Sequence, residues 1–260
     1  MVPFTGSHPA AVLPLLRTPL VPSALVIGSM SPDLLYYLAL PDPVRWRWSE
    51  VSHSALGILG FDLAMGLVAF VLWQALIVPL AVAVAPSALR DRLGPELPVP
   101  LRAHWASPRA IALVVASLWV GAITHVVWDE FTHPGRWGTE NIPWLAEQHG
   151  ILAGYRWGQY ASSVLGLMLI AWVLGRWWLR TAPQPGAQRI AALRPAISIG
   201  VWTIVLACAG IGAAVGLWAS VTDSLGTGSL AYLVSTYGGG AGLVAVLLCA
   251  LLVAFRGSRT

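Results

Sequence analysis

The chain has 260 residues, of which 57% are hydrophobic and only 10% charged, and its mean hydropathy is +0.72. A soluble domain carries charge on roughly a quarter of its residues, so this composition excludes one and points to an integral membrane protein. All fifteen basic residues are arginine and they are scattered along the chain, so the net charge of +4 does not build a lysine-rich patch and no nucleic-acid partner is expected.

The first stretch, "MVPFTGSHPAAVLPLLRTP", has no basic segment before its apolar run and no small-residue cleavage site, and is expected to stay in the mature protein. Pro14 and the Arg17-Thr18-Pro19 break cut the apolar region into pieces near 9–16 and 21–30. Each is too short to cross a bilayer, which takes on the order of 20 apolar residues. The pieces predict a broken or re-entrant helical hairpin covered by other helices. Such a hairpin returns His8, in "GSHPA", and Asp33, in "GSMSPDLLYY", to one place. A polar connection follows over 41–52, with His53 opening the first full span.

Five spans are predicted near 54–82, 109–129, 159–179, 196–219 and 237–255. One set of ends holds Arg90, Arg92, Arg102, Arg109, Arg176, Arg180, Arg189, Arg194, Arg256 and Arg259, while the other holds Arg45, Arg47, Arg136 and Arg156. The positive-inside rule makes the first set cytoplasmic, which puts the C-terminus inside and the segment 124–158 outside. Trp46, Trp48, Trp137, Trp144 and Trp157 then form an outer aromatic belt. The Pro/Gln/Gly linker 181–188 falls within a single domain, 1–260. Residues 1–180 carry the polar chemistry, and 181–260 are read as two scaffold helices, with Asp223 and glycines 238–240 in the loop between them. Cys208 and Cys249 sit in apolar runs and behave as small hydrophobes.

Ionisable residues gather at the outer end of the second span, in "THVVWDEFTHPGRWG". His125 and Asp129 are four apart, so both project from one helix face, close enough to share a metal ion or to make a simple capping bond. His133 continues the spacing, but it precedes Pro134 and so falls on the turn past the helix end. His8, Asp33, His53, His125, Asp129 and His133 all lie at one membrane face, brought there from separated segments, which capping does not explain. Imidazole and carboxylate without thiolate suit zinc or a similar divalent ion with open coordination positions. The ligand count allows one to three ions, with Asp129 able to bridge.

The order "SHPA", "GSMSPDLLYY", "SHSALG", "THVVWDEFTHPGRWG" and "GQYASSVLGL" resembles the bacterial membrane-protein family described as domain of unknown function 4184, over most of residues 1–180. More distantly it is similar to the membrane-bound metal-dependent hydrolases and the all-helical zinc-dependent phospholipases C. That resemblance implies a bacterial inner membrane and phosphoester hydrolysis, with His53, His125, Asp129 and His133 at ligand positions, Asp33 as a further carboxylate and His8 beside them. The sequence departs from the soluble phospholipases in lacking an N-terminal tryptophan ligand and a later His-x-x-x-Glu pair.

Other polar residues have two readings each. Asp62, inside the first span, either orients a ligand histidine or bonds a serine or tryptophan of a neighbouring helix. Gln159 and Tyr160 line the site or tie helices together. Arg136 and Arg156 meet a substrate phosphate or lipid headgroups. Two functions are open. The first is a hydrolase cleaving a phosphoester of a lipid or lipid-linked substrate, with Asp33 or Glu130 as general base. The second is a non-enzymatic membrane protein, a transporter or a metal-stabilised structural protein. Oligomeric state leaves no mark in the sequence.

Overall fold

The computed structural model describes residues 5–38, 40, 42–222 and 230–257; Asp223 and Arg259 lie outside them. The fold is an all-α bundle, and among the described residues the strands are the two-residue pair Gln148–His149 and Leu152–Ala153. Five helices are long and apolar enough to cross a membrane: Gly57–Val84, Pro108–Asn141, Gly154–Arg180, Pro195–Thr222 and Leu230–Phe255. They stand close to the five predicted spans, and the chain is a membrane protein by this measure.

The second span shows how local sequence sets its limits. Ser107 accepts a hydrogen bond from the Ala110 amide at 3.1 Å and Pro108 takes the first helical position, both ordinary helix-start chemistry. The helix runs Pro108–Thr132 and stops because His133, held extended before Pro134 (φ −127°, ψ 147°), cannot continue it.

The N-terminal hairpin forms as expected. A helical turn Pro9–Val12 continues as a 3-10 segment Leu13–Arg17, the chain reverses, and helix Pro22–Gly28 returns to a 3-10 segment Ser31–Tyr37. Its far end is served by neighbouring helices: the Val21 amide donates to Ser117 Oγ at 2.8 Å, and Gln74 Nε2 donates to Ser23 Oγ at 2.9 Å. Backbone groups away from water need such partners. Ala24 packs there in a buried cluster with Phe70, Val114 and Leu118. At the near end, Thr5 Oγ1 donates to Asp33 Oδ2 at 2.5 Å and closes the hairpin.

Helix Pro22–Gly28 crosses the second span backbone to backbone. A side chain on Gly28 would collide with the Leu118 main chain, its Cβ lying 2.8 Å from Leu118 Cα; one on Gly121 would lie 2.5 Å from the Ser29 amide nitrogen. Neither contact is open to a residue with a Cβ.

Three sequence expectations are corrected. The connection 41–52 is the helix Asp42–Ser52, consistent with Pro43 near its start. The third span begins earlier, at Gly154, whose missing side chain lets it sit against Trp144. Glycines 238–240 lie inside the helix Leu230–Gly257 rather than in a loop. Gly238 faces Ala213 of the fourth span, and Gly239 takes the Tyr37 ring, so close packing on two sides overrides the weak helix propensity of glycine. The buried cluster Leu80, Val84, Val201, Cys249 and Ala250 joins the last two spans to the first.

Candidate metal centre

Three segments converge at one end of the bundle. Asp33 comes from the 3-10 return of the hairpin, His53 from the residue after helix Asp42–Ser52, and His125 and Asp129 from the last turns of the second span. All four are buried, and one ligand atom from each lies within 4.8 Å of the others. His53 Nε2 is 3.4 Å from Asp129 Oδ2 and 3.6 Å from Asp33 Oδ1. His125 Nε2 is 3.5 Å from each of the same two oxygens. Ligands held about 2.0–2.1 Å from a tetrahedral ion stand about 3.3–3.4 Å apart, and the four nitrogen–oxygen separations lie within a few tenths of an ångström of that. The group can hold a metal ion.

Each imidazole is turned by its other nitrogen. His125 Nδ1 donates to the Ser29 carbonyl at 2.8 Å, and His53 Nδ1 to the Ser49 carbonyl at 2.9 Å. A carbonyl only accepts, so each Nδ1 carries a proton and each Nε2 is the ring atom turned to the carboxylates. His125 Nε2 and Asp129 Oδ1 are buried with no hydrogen-bond partner in the structure. Orphaned polar atoms in a dry site are costly unless something else satisfies them, and a cation satisfies both.

Charge follows the same geometry. Burial disfavours the Asp33 carboxylate, but the charge of His125, joined by that of His53, outweighs it and holds the carboxyl well below its usual range. Burial also opposes the His53 imidazolium, yet hydrogen bonds to Asp129 and Asp33 raise it to about 9. His8 is pushed down to about 4, by burial first and then by the charge of His125, which leaves its ring neutral.

The second oxygen of Asp129 faces a second pair of histidines. Oδ1 is 3.5 Å from His133 Nδ1 and 3.8 Å from His8 Nε2. The His8 ring stacks on His125 with centroids 3.7 Å apart. Gln159 Nε2 lies 3.2 Å from His133 Nε2, and the half-turned amide would offer its oxygen to the same nitrogen. A cavity of about 220 Å³ opens on this side; His8, Asp33, His53, Asp129 and His133 form its floor, and His125 lies beneath.

The remaining predicted residues divide. Gln159 and Arg136 line the cavity. Arg136 Nη1 donates to the His53 carbonyl at 3.1 Å and pairs with Glu130 at 3.5 Å. Glu130 accepts from the Trp137 amide at 3.0 Å and is not among the cavity residues, so the structure does not bring it to the site. Arg156 is exposed and spends its guanidinium on the neighbouring Tyr155 hydroxyl at 3.1 Å; neither it nor Tyr160 lines the cavity. Asp62 is 1% exposed, outside the cavity lining, and neither of its oxygens has a hydrogen-bond partner in the structure.

Among the lining residues that escaped the sequence reading are Tyr36, Trp46, Glu50 and Tyr232. Trp46 and Tyr232 stack with centroids 6.4 Å apart, and Tyr36 stands edge-on to Tyr232 at 5.8 Å. Arg45 Nη1 donates to the Tyr232 hydroxyl at 3.2 Å. The fifth span is therefore more than scaffold, because it supplies a cavity wall. The one available signal was the helical spacing of Trp46, Ser49, Glu50 and His53, legible only once 42–52 is taken as a helix.

Fold and site together define a polytopic helical membrane protein with a buried two-histidine, two-aspartate group able to hold a metal ion. The chain belongs to the family described as domain of unknown function (DUF4184), whose model matches residues 2–252. The match runs past residue 180 and through the last two spans. No curated protein and no solved structure matches the chain.

Proposed function

We propose that the chain is a membrane-embedded, metal-dependent hydrolase that cleaves a phosphoester of a lipid or lipid-linked substrate. The observation that carries this reading is the shell formed by His53, His125, Asp33 and Asp129, with two buried atoms that lack any other partner. Nitrogen and carboxylate donors without thiolate suit zinc. Asp129 turns its other oxygen to His8 and His133, which supports a second ion on the cavity side. A bound divalent ion would supply charge to a phosphate oxygen and a water that ionises near neutral pH.

The chain's own residues would do the rest. Ser29 and Ser49 hold the ring nitrogens in register, Gln159 holds His133, and Arg136 presents a guanidinium at the cavity wall where a phosphate oxygen would sit. Burial, then the Asp33 charge, raises the Tyr36 phenol, which therefore remains a hydroxyl donor. The ten arginines at the opposite ends of the spans support a bacterial inner membrane with the C-terminus in the cytoplasm and the cavity on the outer face, at headgroup depth.

One observation favours a second reading, a metal that only braces the bundle: the inner group already has four protein ligands, the closed arrangement of structural zinc sites. Elemental analysis of purified wild type, His125→Ala and Asp129→Ala tests the metal, and hydrolysis of a nitrophenyl phosphodiester before and after chelation tests the reaction. Stoichiometric metal in wild type, lost in both variants, with chelator-sensitive hydrolysis, is expected. Metal without hydrolysis would leave the bracing role; no metal would remove both readings.

A further inference from the structure

We propose that Glu50 is the proton carrier of the cavity, taking a proton from the attacking water and handing it to the leaving oxygen; the proposal rests on the hydrolase reading above. Asp33, Glu50 and Asp129 are the carboxylates that line the cavity among the described residues. Asp33 and Asp129 are committed to histidine nitrogens at 3.4–3.6 Å. On the hydrolase reading both are ligands of the ion, which leaves neither to carry a proton for the substrate. Glu50 differs: within the described residues it makes no hydrogen bond and no ion pair. It stands three residues before His53, so the helix Asp42–Ser52 carries it on the side that leads to His53. It is exposed and lines the cavity. Glu130, the carboxylate that spacing along the second span first suggests, is bound to the Trp137 amide and Arg136 instead.

The step balances without a further reactant. The water oxygen forms a bond to phosphorus while one water proton moves to the Glu50 carboxylate. The bond from phosphorus to the ester oxygen breaks, its electron pair stays on that oxygen, and the Glu50 proton neutralises it. Glu50 ends as it began, and one water has been added across the ester.

The two halves of this role separate by leaving group. A p-nitrophenolate departs without needing a proton, whereas a benzyl alkoxide does need one, so the donor half acts on the second alone. Full-length, metal-loaded wild type and Glu50→Gln are compared on bis(p-nitrophenyl) phosphate and dibenzyl phosphate, with metal content measured on each. The substitution is expected to lower the benzyl rate by about 10²-fold or more, to lower the nitrophenyl rate at least about tenfold less than that, and to leave metal content unchanged. Equal losses on both esters, or no loss, overturn the Glu50 role and leave the hydrolase standing. A wild type that cleaves only the nitrophenyl ester lacks the donor and overturns it too. Cleavage of neither ester by wild type removes the hydrolase reading and the proposal with it.

Discussion

His125 Nδ1 reaches the Ser29 carbonyl over 2.8 Å, and this bond between the second span and the N-terminal hairpin is what aims Nε2 at Asp33 and Asp129. Gly121, one turn before His125, makes the bond reachable, because the main chain at Ser29 rests directly on it.

Gly121→Ala would place a methyl group 2.5 Å from the Ser29 nitrogen, a separation that side-chain carbons do not reach. The hairpin must move away. Overpacking of this kind costs about 1–3 kcal/mol, read as a lower thermal midpoint in detergent. Metal affinity should fall about 10- to 100-fold although every ligand is intact, as happens when a ligand loses its orienting partner. Unchanged affinity would show that the hairpin contact does not orient His125.

Without an ion, His53 is protonated up to about pH 9, since its carboxylate partners raise it from 6.5. Its contribution to stability is therefore fully present below pH 6.5 and is lost as pH rises through about 9. Metal-free protein should melt at progressively lower temperature across that window. Ion binding needs the neutral ring and releases its proton, so affinity should rise about tenfold per pH unit over the same range. Titrations at pH 6.5, 7.5 and 8.5 in two buffers of different ionisation enthalpy would count the released protons. No proton release would contradict the assignment of His53 as a ligand.

Tyr232→Phe keeps the stacked ring on Trp46 but removes the acceptor for buried Arg45. A hydrogen bond to a charged group is worth about 1.5–3 kcal/mol, and a loss of that order should appear in thermal unfolding. Metal content should not change, because Tyr232 is a wall of the cavity and not a ligand. Loss of metal in this variant would mean that the fifth span positions the ligands as well.

The proposed orientation is open to direct labelling. Ile151 is 83% exposed at the turn between the two short strands, at the cavity end of the bundle, and Gln184 is exposed in the linker at the opposite end. In intact cells, Ile151→Cys should react with a membrane-impermeant maleimide and Gln184→Cys should react only after lysis. The reverse pattern would place the candidate metal centre on the cytoplasmic face.

Much of this arrangement was legible along the chain, for identifiable reasons. Apolar length located the five spans, and proline punctuation predicted the broken hairpin, because neither signal depends on a distant partner. The i, i+4 spacing placed His125 beside Asp129, and Pro134 placed His133 past the helix end. The spacing could not distinguish Glu130 from Glu50. Glu130 is adjacent to a ligand in sequence but turns to the Trp137 amide, whereas Glu50 reaches the cavity from another helix.

The sequence by itself determined that this protein lies in a membrane, how often it can cross, and which residue types can meet at one end. Hydrophobic length and backbone chemistry act locally, and their effects can be read locally. Only the tertiary structure decided which nitrogens and oxygens face one another, that Asp129 presents its two oxygens to two different histidine pairs, and that the last helix closes the cavity with Tyr232. Those outcomes depend on where backbones can touch, at Gly28 on Leu118, Gly121 on Ser29 and Gly240 on Tyr37. A contact between two segments far apart in the chain is a property of the pair, and neither segment carries it alone.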